Sequence, residues 1–331
     1  MTSDKFFSLQ AIQPLENNAA GKLIAVTSKE APGFIHISFA HLQLKKQGLL
    51  KPIWHPNANK IGYCTQGKGL VSLRTPDRLE IFTVEAGEMF FIPQGFVHQI
   101  QNGDEADCVI HFAFDHTDPE VMAFDEALLS IPDTVFKAAF DTPAGFVKGL
   151  KKQKNLLMAL PPSKSPTPMS SPYKYNIEKS DKSIVTKGGY LQLGIQTNLP
   201  VLKGLGILGF GLNPQGSVEP HWHTNAGELV YIVKGKTRIT VLSPDGKLEV
   251  LEVSGGEGAF APASHFHHIE NVGMEEVQVI AFFSHALPNY IGIGEVLGSY
   301  SNEELAALFN TAPGFFEACK KPQGPLVIVP L

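Results

Sequence analysis

Arginine is nearly missing from this chain. Of 27 basic residues among 331, only Arg74, Arg78 and Arg238 are Arg, and the formal net charge is -5. So little guanidinium on an acidic chain argues against a nucleic-acid surface. Cysteine is scarce too: Cys64, Cys108 and Cys319 form no CxxC pair and no even framework, which points to a reducing compartment. No apolar run approaches the ~18 residues that span a bilayer. The start, Met1-Thr-Ser-Asp-Lys-Phe-Phe-Ser8, lacks the basic and apolar regions of a signal peptide. The expectation is a cytoplasmic protein with neither nucleic-acid nor membrane partners. What is plentiful is Gly (31), Pro (24) and His (12). Gly and Pro favour short strands and turns. Many His beside few Cys means that a metal would be held by nitrogen and oxygen.

At roughly 150 residues per domain the length suggests two domains, and the chain repeats itself. Ile53-Trp-His-Pro-Asn-Ala-Asn-Lys-Ile-Gly-Tyr-Cys-Thr-Gln-Gly67 aligns without a gap on His221-Trp-His-Thr-Asn-Ala-Gly-Glu-Leu-Val-Tyr-Ile-Val-Lys-Gly235, at an offset of 168. Downstream, the segment from Gly87 through Pro93 and His98 to Asn102 lies over Gly256 through Pro262 and His267 to Asn271, at an offset of 169. The turn Ser243-Pro-Asp-Gly246, against Thr75-Pro-Asp77, is the natural place for the extra residue. Strand-like runs flank it, Thr237-Arg-Ile-Thr-Val-Leu and Lys247-Leu-Glu-Val-Leu-Glu-Val, and predict a hairpin. Short strands punctuated by Gly and Pro predict an all-β barrel or jelly roll in each half. A short helix is expected after each barrel. Ser301-Asn-Glu-Glu304 reads as a capping box, with Leu305, Leu308 and Phe309 as its apolar face. The predicted domains are 1–150 and 176–331, joined by a Pro/Ser-rich linker over 151–175.

In the second copy His221 and His223 stand two apart on a predicted strand, so both imidazoles share a face. Glu228 opens the next strand and His267 follows a Pro-containing turn. Three imidazoles and a carboxylate give a divalent ion four ligands and leave two positions open. Mn, Fe, Co, Ni or Zn suits that donor set better than Ca or Mg. His265 and Glu219 share parity with ligand positions and are candidates for acid–base work. Asn271 reads as a turn residue or as a support behind the ligands, and His268 as pointing away. The first copy has Ile53 and Lys60 where the second has His221 and Glu228. With His55 and His98 it is either a decayed site or an anion pocket, in which Lys60 and the two imidazoles hold a carboxylate.

His-x-His-x4-Glu-x6-Gly over 221–235 and Gly-x5-Pro-x-Ser-x2-His-x3-Asn over 256–271 resemble the two cupin signatures, with Ser264 where Gly is usual. Both recur in order in the first half. The whole chain thus resembles a bicupin of the germin and oxalate decarboxylase type. That resemblance implies two tandem double-stranded β-helix barrels with short flanking helices, and assembly into homo-oligomers through the terminal helices. It also implies one divalent ion, Mn first, at His221, His223, Glu228 and His267. It does not carry the activity across. The family's oxalate decarboxylases hold substrate with an Arg shortly before the His pair, where this chain has Leu50 and Val218. Their lid, which carries a Glu proton donor, has no room between Asp115 and Glu120. Fold alone does not license the chemistry.

Two further motifs mislead. Gly204-Leu-Gly-Ile-Leu-Gly209 satisfies GxGxxG, but no helix opens at it. Lys151-Lys-Gln-Lys154 reads as solvated surface. Three readings of function stay open: a metal-dependent oxidoreductase or lyase acting on a small oxygen-rich or carboxylate molecule; a storage-like module that binds without turnover; and a sugar isomerase. An apolar barrel would disfavour the last.

Overall fold

The computed structural model describes residues 3–161, 166–322, 324 and 326–331. Residues 162–165 of the expected linker lie outside it. Each copy of the repeat builds one barrel from a seven-stranded and a six-stranded antiparallel sheet. In the second barrel the larger sheet contains Gly189–Gly194, Gly206–Leu212, Val277–Phe283, Glu228–Lys234 and Glu257–Ala261; the smaller contains Leu248–Ser254, Lys236–Leu242, Phe266–Asn271 and Gly216–Trp222. The first barrel repeats this order strand for strand. Alternation sets the faces. Val230, Ile232, Ile239, Val241, Val277 and Val279 all point into one buried cluster. Burying each such side chain contributes about 1.5–3 kcal/mol. On the strand Leu248–Ser254 only Val253 is buried and the other face is wet.

The hairpin forms as expected. Lys236–Leu242 pairs with Leu248–Ser254, and the amide of Ser243 donates to the carbonyl of Lys247. In the first barrel Arg74 faces Leu79 across a loop one residue shorter, which places the extra residue where the alignment put it. The GxGxxG stretch is part of a strand, Gly206–Leu212. Among the described residues no helix is long and apolar enough to cross a membrane.

Ser301 caps the helix Asn302–Phe309 in a capping box. Its expected apolar face is only partly used: Leu305 is buried, whereas Leu308 is 74 % and Phe309 58 % exposed. The compact units also divide differently from the composition. Residues Ala11–Lys179 and Gln196–Leu205 form one; Met1–Gln10, Ser180–Ile195 and Gly206–Leu331 form the other. Residues 151–175 are not merely a linker. Leu157–Ala159 adds a strand to Gly48–Trp54, and Lys174–Asn176 pairs with Glu88–Ile92. In the same way Phe6–Ser8 pairs with Glu257–Ala261. Backbone ladders of three residues leave no trace in composition or periodicity.

Candidate metal centre and its counterpart in the first barrel

The strand Gly216–Trp222 carries His221 opposite His267 of Phe266–Asn271, just past an irregularity in register after Val218. Pro220, which has no N–H, sits between the residues paired to Ile328–Pro330 and those paired to Ile291–Gly292, so no ladder bond is lost. His223 follows the strand, and Glu228 begins the next one beside Ala261 and Phe283. The turn before His267 is tied by the amide of Ser264 donating to the carbonyl of His223. Ser264 has φ +62°, and its counterpart Gly95 has φ +79° and bonds His55 in the same way. The left-handed backbone explains why Gly suits this position.

His221, His223, Glu228 and His267 are all buried, and their ligand atoms lie within 4.8 Å of one another. Each Nδ1 faces a carbonyl oxygen at 2.7 Å: Glu219 for His221, Asn289 for His223 and His265 for His267. A carbonyl only accepts, so each Nδ1 carries the proton and each Nε2 keeps its lone pair. The three Nε2 atoms lie 3.6, 3.1 and 2.9 Å from Glu228 Oε2. Lone pairs and a carboxylate gathered this closely repel unless a cation sits among them. Ligand atoms about 2.1 Å from an ion and at right angles to each other lie about 3 Å apart. The donor set therefore fits a divalent first-row ion. Burial pushes the Glu228 carboxyl up, whereas a proton on any of the three Nε2 atoms would be donated to it and hold it well below the usual range, so the cluster draws positive charge to itself. Burial, then His267, lowers His221 to about 4. Rings fix the imidazole planes: Tyr290 stacks on His221 at 4.7 Å and Phe283 meets His223 edge-on at 4.8 Å.

A cavity of about 220 Å³ opens above the cluster, walled by Leu193, Leu208, Phe210, Val218, Phe283 and Tyr290. No Lys or Arg is among its described lining residues. Val218, at the position of the family's carboxylate-holding Arg, is part of that wall.

The structure gives Glu219 a different place from the one expected of an acid or base. Its buried carboxylate accepts from the Tyr290 hydroxyl at 3.0 Å and from the amides of Gly294, Leu326 and Val327. A Cβ on Gly292 would lie 2.4 Å from it, so glycine leaves the room it needs. Glu219 thereby fastens Tyr290 and the final strand behind the centre. His265 sits half-buried in the turn and contributes its carbonyl, while its Nδ1 lies 3.1 Å from the carbonyl of Ala263. Asn271 is a turn residue, bonded to Leu212, Gly273 and Glu275, and Asn102 repeats it. Tyr290 and the Asn289 carbonyl were invisible to motif reading, because both lie on the loop after the last barrel strand, outside the repeat signatures.

In the first barrel His55, Lys60 and His98 come together, with Ile53 in the place of the first His. The carbonyl partners persist: Glu120 for His55 Nδ1 at 2.8 Å and Phe96 for His98 Nδ1 at 3.1 Å. Both Nε2 atoms are again lone pairs. Lys60 Nζ donates to His98 Nε2 at 3.3 Å and lies 4.1 Å from the centre of the Phe112 ring. Burial lowers the Lys60 ammonium to about 7; burial and then Lys60 lower His55 to about 3. The expected three-donor cradle for a carboxylate thus reduces to one donor, Lys60, between two acceptors.

The cupin family profile matches twice, over residues 7–145 and 175–313. The chain is 23 % identical to oxalate decarboxylase OxdC of Bacillus subtilis (strain 168) over 314 residues, covering 91 % of this chain and 81 % of the relative. It is 28 % identical to germin-like protein subfamily 2 member 1 of Arabidopsis thaliana over 162 residues, covering 46 % and 74 %. Solved oxalate decarboxylase structures superpose with a TM-score of 0.88 at 22 % identity, over 100 % of this chain and 90 % of theirs. One of those studies concerns the Mn(II) centres of the Bacillus subtilis enzyme. Two matching profiles on two jelly-roll barrels place the chain in the cupin family, as a bicupin homologous to oxalate decarboxylases and germin-like proteins.

Proposed function

We propose that this bicupin is a metal-dependent oxidoreductase or lyase that works at His221, His223, Glu228 and His267 with one divalent ion, Mn before Fe, Co, Ni or Zn. The observation that carries this reading is the convergence of three Nε2 lone pairs and one carboxylate at the floor of an open cavity. When bound, such an ion polarises a coordinated oxygen or activates O2. The chain's own residues then set the substrate. Apolar walls exclude water and take a compact hydrocarbon body, so the molecule presents its oxygen donors, a carboxylate among them, at one end. Val218 and Leu50 supply no charge to clamp oxalate, and apolar walls disfavour sugars.

A second reading is supported by Glu219 and Tyr290. Both polar groups are committed to each other and to backbone amides, which leaves no free acid or base among the cavity's described lining residues beyond the clustered His and Glu. That favours a module that binds without turnover. A homo-oligomer formed through the terminal helices is supported by exposed Leu308, Phe309 and Phe315. A cytoplasmic location is supported by three unpaired cysteines.

Elemental analysis of the purified protein tests the centre: about one first-row ion per chain is expected, lost in His223→Ala and kept in His55→Ala. Equal metal loss in both variants refutes the assignment. O2 uptake and substrate loss with small aryl and alkyl carboxylates or enols separate turnover from binding. Rapid formation of CO2 and formate from oxalate would refute the argument from Val218 and Leu50.

A further inference from the structure

The first barrel has its own cavity, about 240 Å³, with His55 and Lys60 among walls that include Leu50, Ile53, Phe112 and Phe114. Exposed Leu15 and Val121 stand at its mouth. Lys60 is 3 % exposed. Among the described residues no carboxylate pairs with it, and its one hydrogen-bond partner is His98 Nε2. His55 is 5 % exposed and lines the same cavity, yet its buried Nε2 has no partner. A carboxylate would satisfy Lys60 and leave that lone pair facing another acceptor. The site asks for a ligand that takes hydrogen from Lys60 and offers an O–H to His55.

The geometry points to a carbonyl-capturing site, in which Lys60 Nζ forms an imine with an aldehyde or ketone that has a compact apolar body. The step starts from the free amine, the ammonium having released one proton to solvent. The Nζ lone pair bonds to the carbonyl carbon and the C=O π pair moves to oxygen. One of the two Nζ protons reaches that oxygen, and the resulting hydroxyl donates to His55 Nε2. A proton returned from solvent then reaches the hydroxyl, the C–O bond breaks and water leaves, so amine, carbonyl and proton become iminium and water. The remaining Nζ proton stays on nitrogen, donated to His98 Nε2. Aromatic walls exclude the bulk water that would hydrolyse the product. The lowered ammonium supports the same assignment, since a protonated amine is no nucleophile.

The test uses the full-length protein with 3-phenylpropanal and cyanoborohydride at pH 7, followed by peptide mass mapping. At that pH Lys60 is about half free amine, against roughly 0.04 % for an ordinary lysine, so its labelling should outpace surface lysines by about 1,000-fold. Lys60→Arg keeps the charge and should abolish this adduct alone. Lys60 labelled no faster than the surface lysines overturns the proposal. So does 3-phenylpropanoate raising the melting temperature of wild type and Lys60→Arg alike while the aldehyde leaves Lys60 unmodified, which would make the pocket an anion site.

Discussion

Replacing Lys60 by Met should make the protein more stable, and by an amount that depends on pH. The Lys60 ammonium falls from its ordinary 10.5 to about 7 in the folded chain. Between these values the unfolded chain holds a proton that the folded one has released, so stability rises with pH across this window. Below pH 7 both states are charged and the burial cost is fully felt. At 1.36 kcal/mol per pH unit it comes to roughly 5 kcal/mol at pH 6 and roughly 2 kcal/mol at pH 9. Met has similar length and no charge to desolvate. The advantage of the variant over wild type should therefore shrink by roughly 3 kcal/mol between pH 6 and pH 9. Guanidinium unfolding at the two pH values measures it, with the two barrels' transitions fitted separately because two units need not unfold together. Groups that titrate alike in both proteins cancel. An equal difference at both pH values, or a variant less stable at pH 6, would refute the reasoning and mean that water or a counter-ion compensates the buried charge.

Removing metal with a chelator should lower the melting transition of the second barrel. An ion at a hundred times its Kd contributes about 2.7 kcal/mol, and His267→Ala should show no such shift in calorimetry. Glu219→Gln should cost about 3 kcal/mol, since a neutral amide meets three backbone amides and a phenol as a poorer acceptor. It should speed proteolysis at the strand Ile328–Pro330, which a purely chemical role for Glu219 would leave unchanged. Asn102→Ala and Asn271→Ala should each cost about 2–3 kcal/mol through unsatisfied turn groups, each in its own barrel's transition. Similar losses in both transitions from either variant would contradict the assignment of one Asn to each unit.

The candidate ligand cluster was legible because its members fall at signature spacing. A period of two put His221 and His223 on one face, the repeat pointed to His267, and the cupin signature to Glu228, where the first copy has Lys60. Comparing the two copies located the extra residue in the hairpin, and the signature marked Ser264 as standing where Gly is usual, which the left-handed backbone there explains. Parity also placed the Glu219 side chain inward, but not its partners. The amides of Leu326 and Val327 lie more than a hundred residues away, and nothing local announces them. Helical periodicity could not tell that Leu308 and Phe309 face outward, because a helix records which residues share a face and not what covers it. Both inward carboxylates of the second copy, Glu219 and Glu228, are matched by lysines in the first, Lys51 and Lys60. Lys51 pairs with Asp125 and the Gln153 carbonyl, a tether of opposite charge doing the work of Glu219. Among the described residues Lys60 has no such acid, which is why the two substitutions have different consequences.

The strands Phe6–Ser8 and Lys174–Asn176 each lead into one barrel in sequence and complete the sheet of the other. A chain cut between the two halves would therefore give two damaged pieces rather than two domains. A fragment beginning at residue 176 would leave Glu257–Ala261 with a bare row of amides and carbonyls, an edge that invites pairing with other chains. During synthesis the first strand must wait about 250 residues for its partner, a closure that slows folding. Expression of either half alone should yield aggregates, whereas a circular permutation that keeps both leading strands should not.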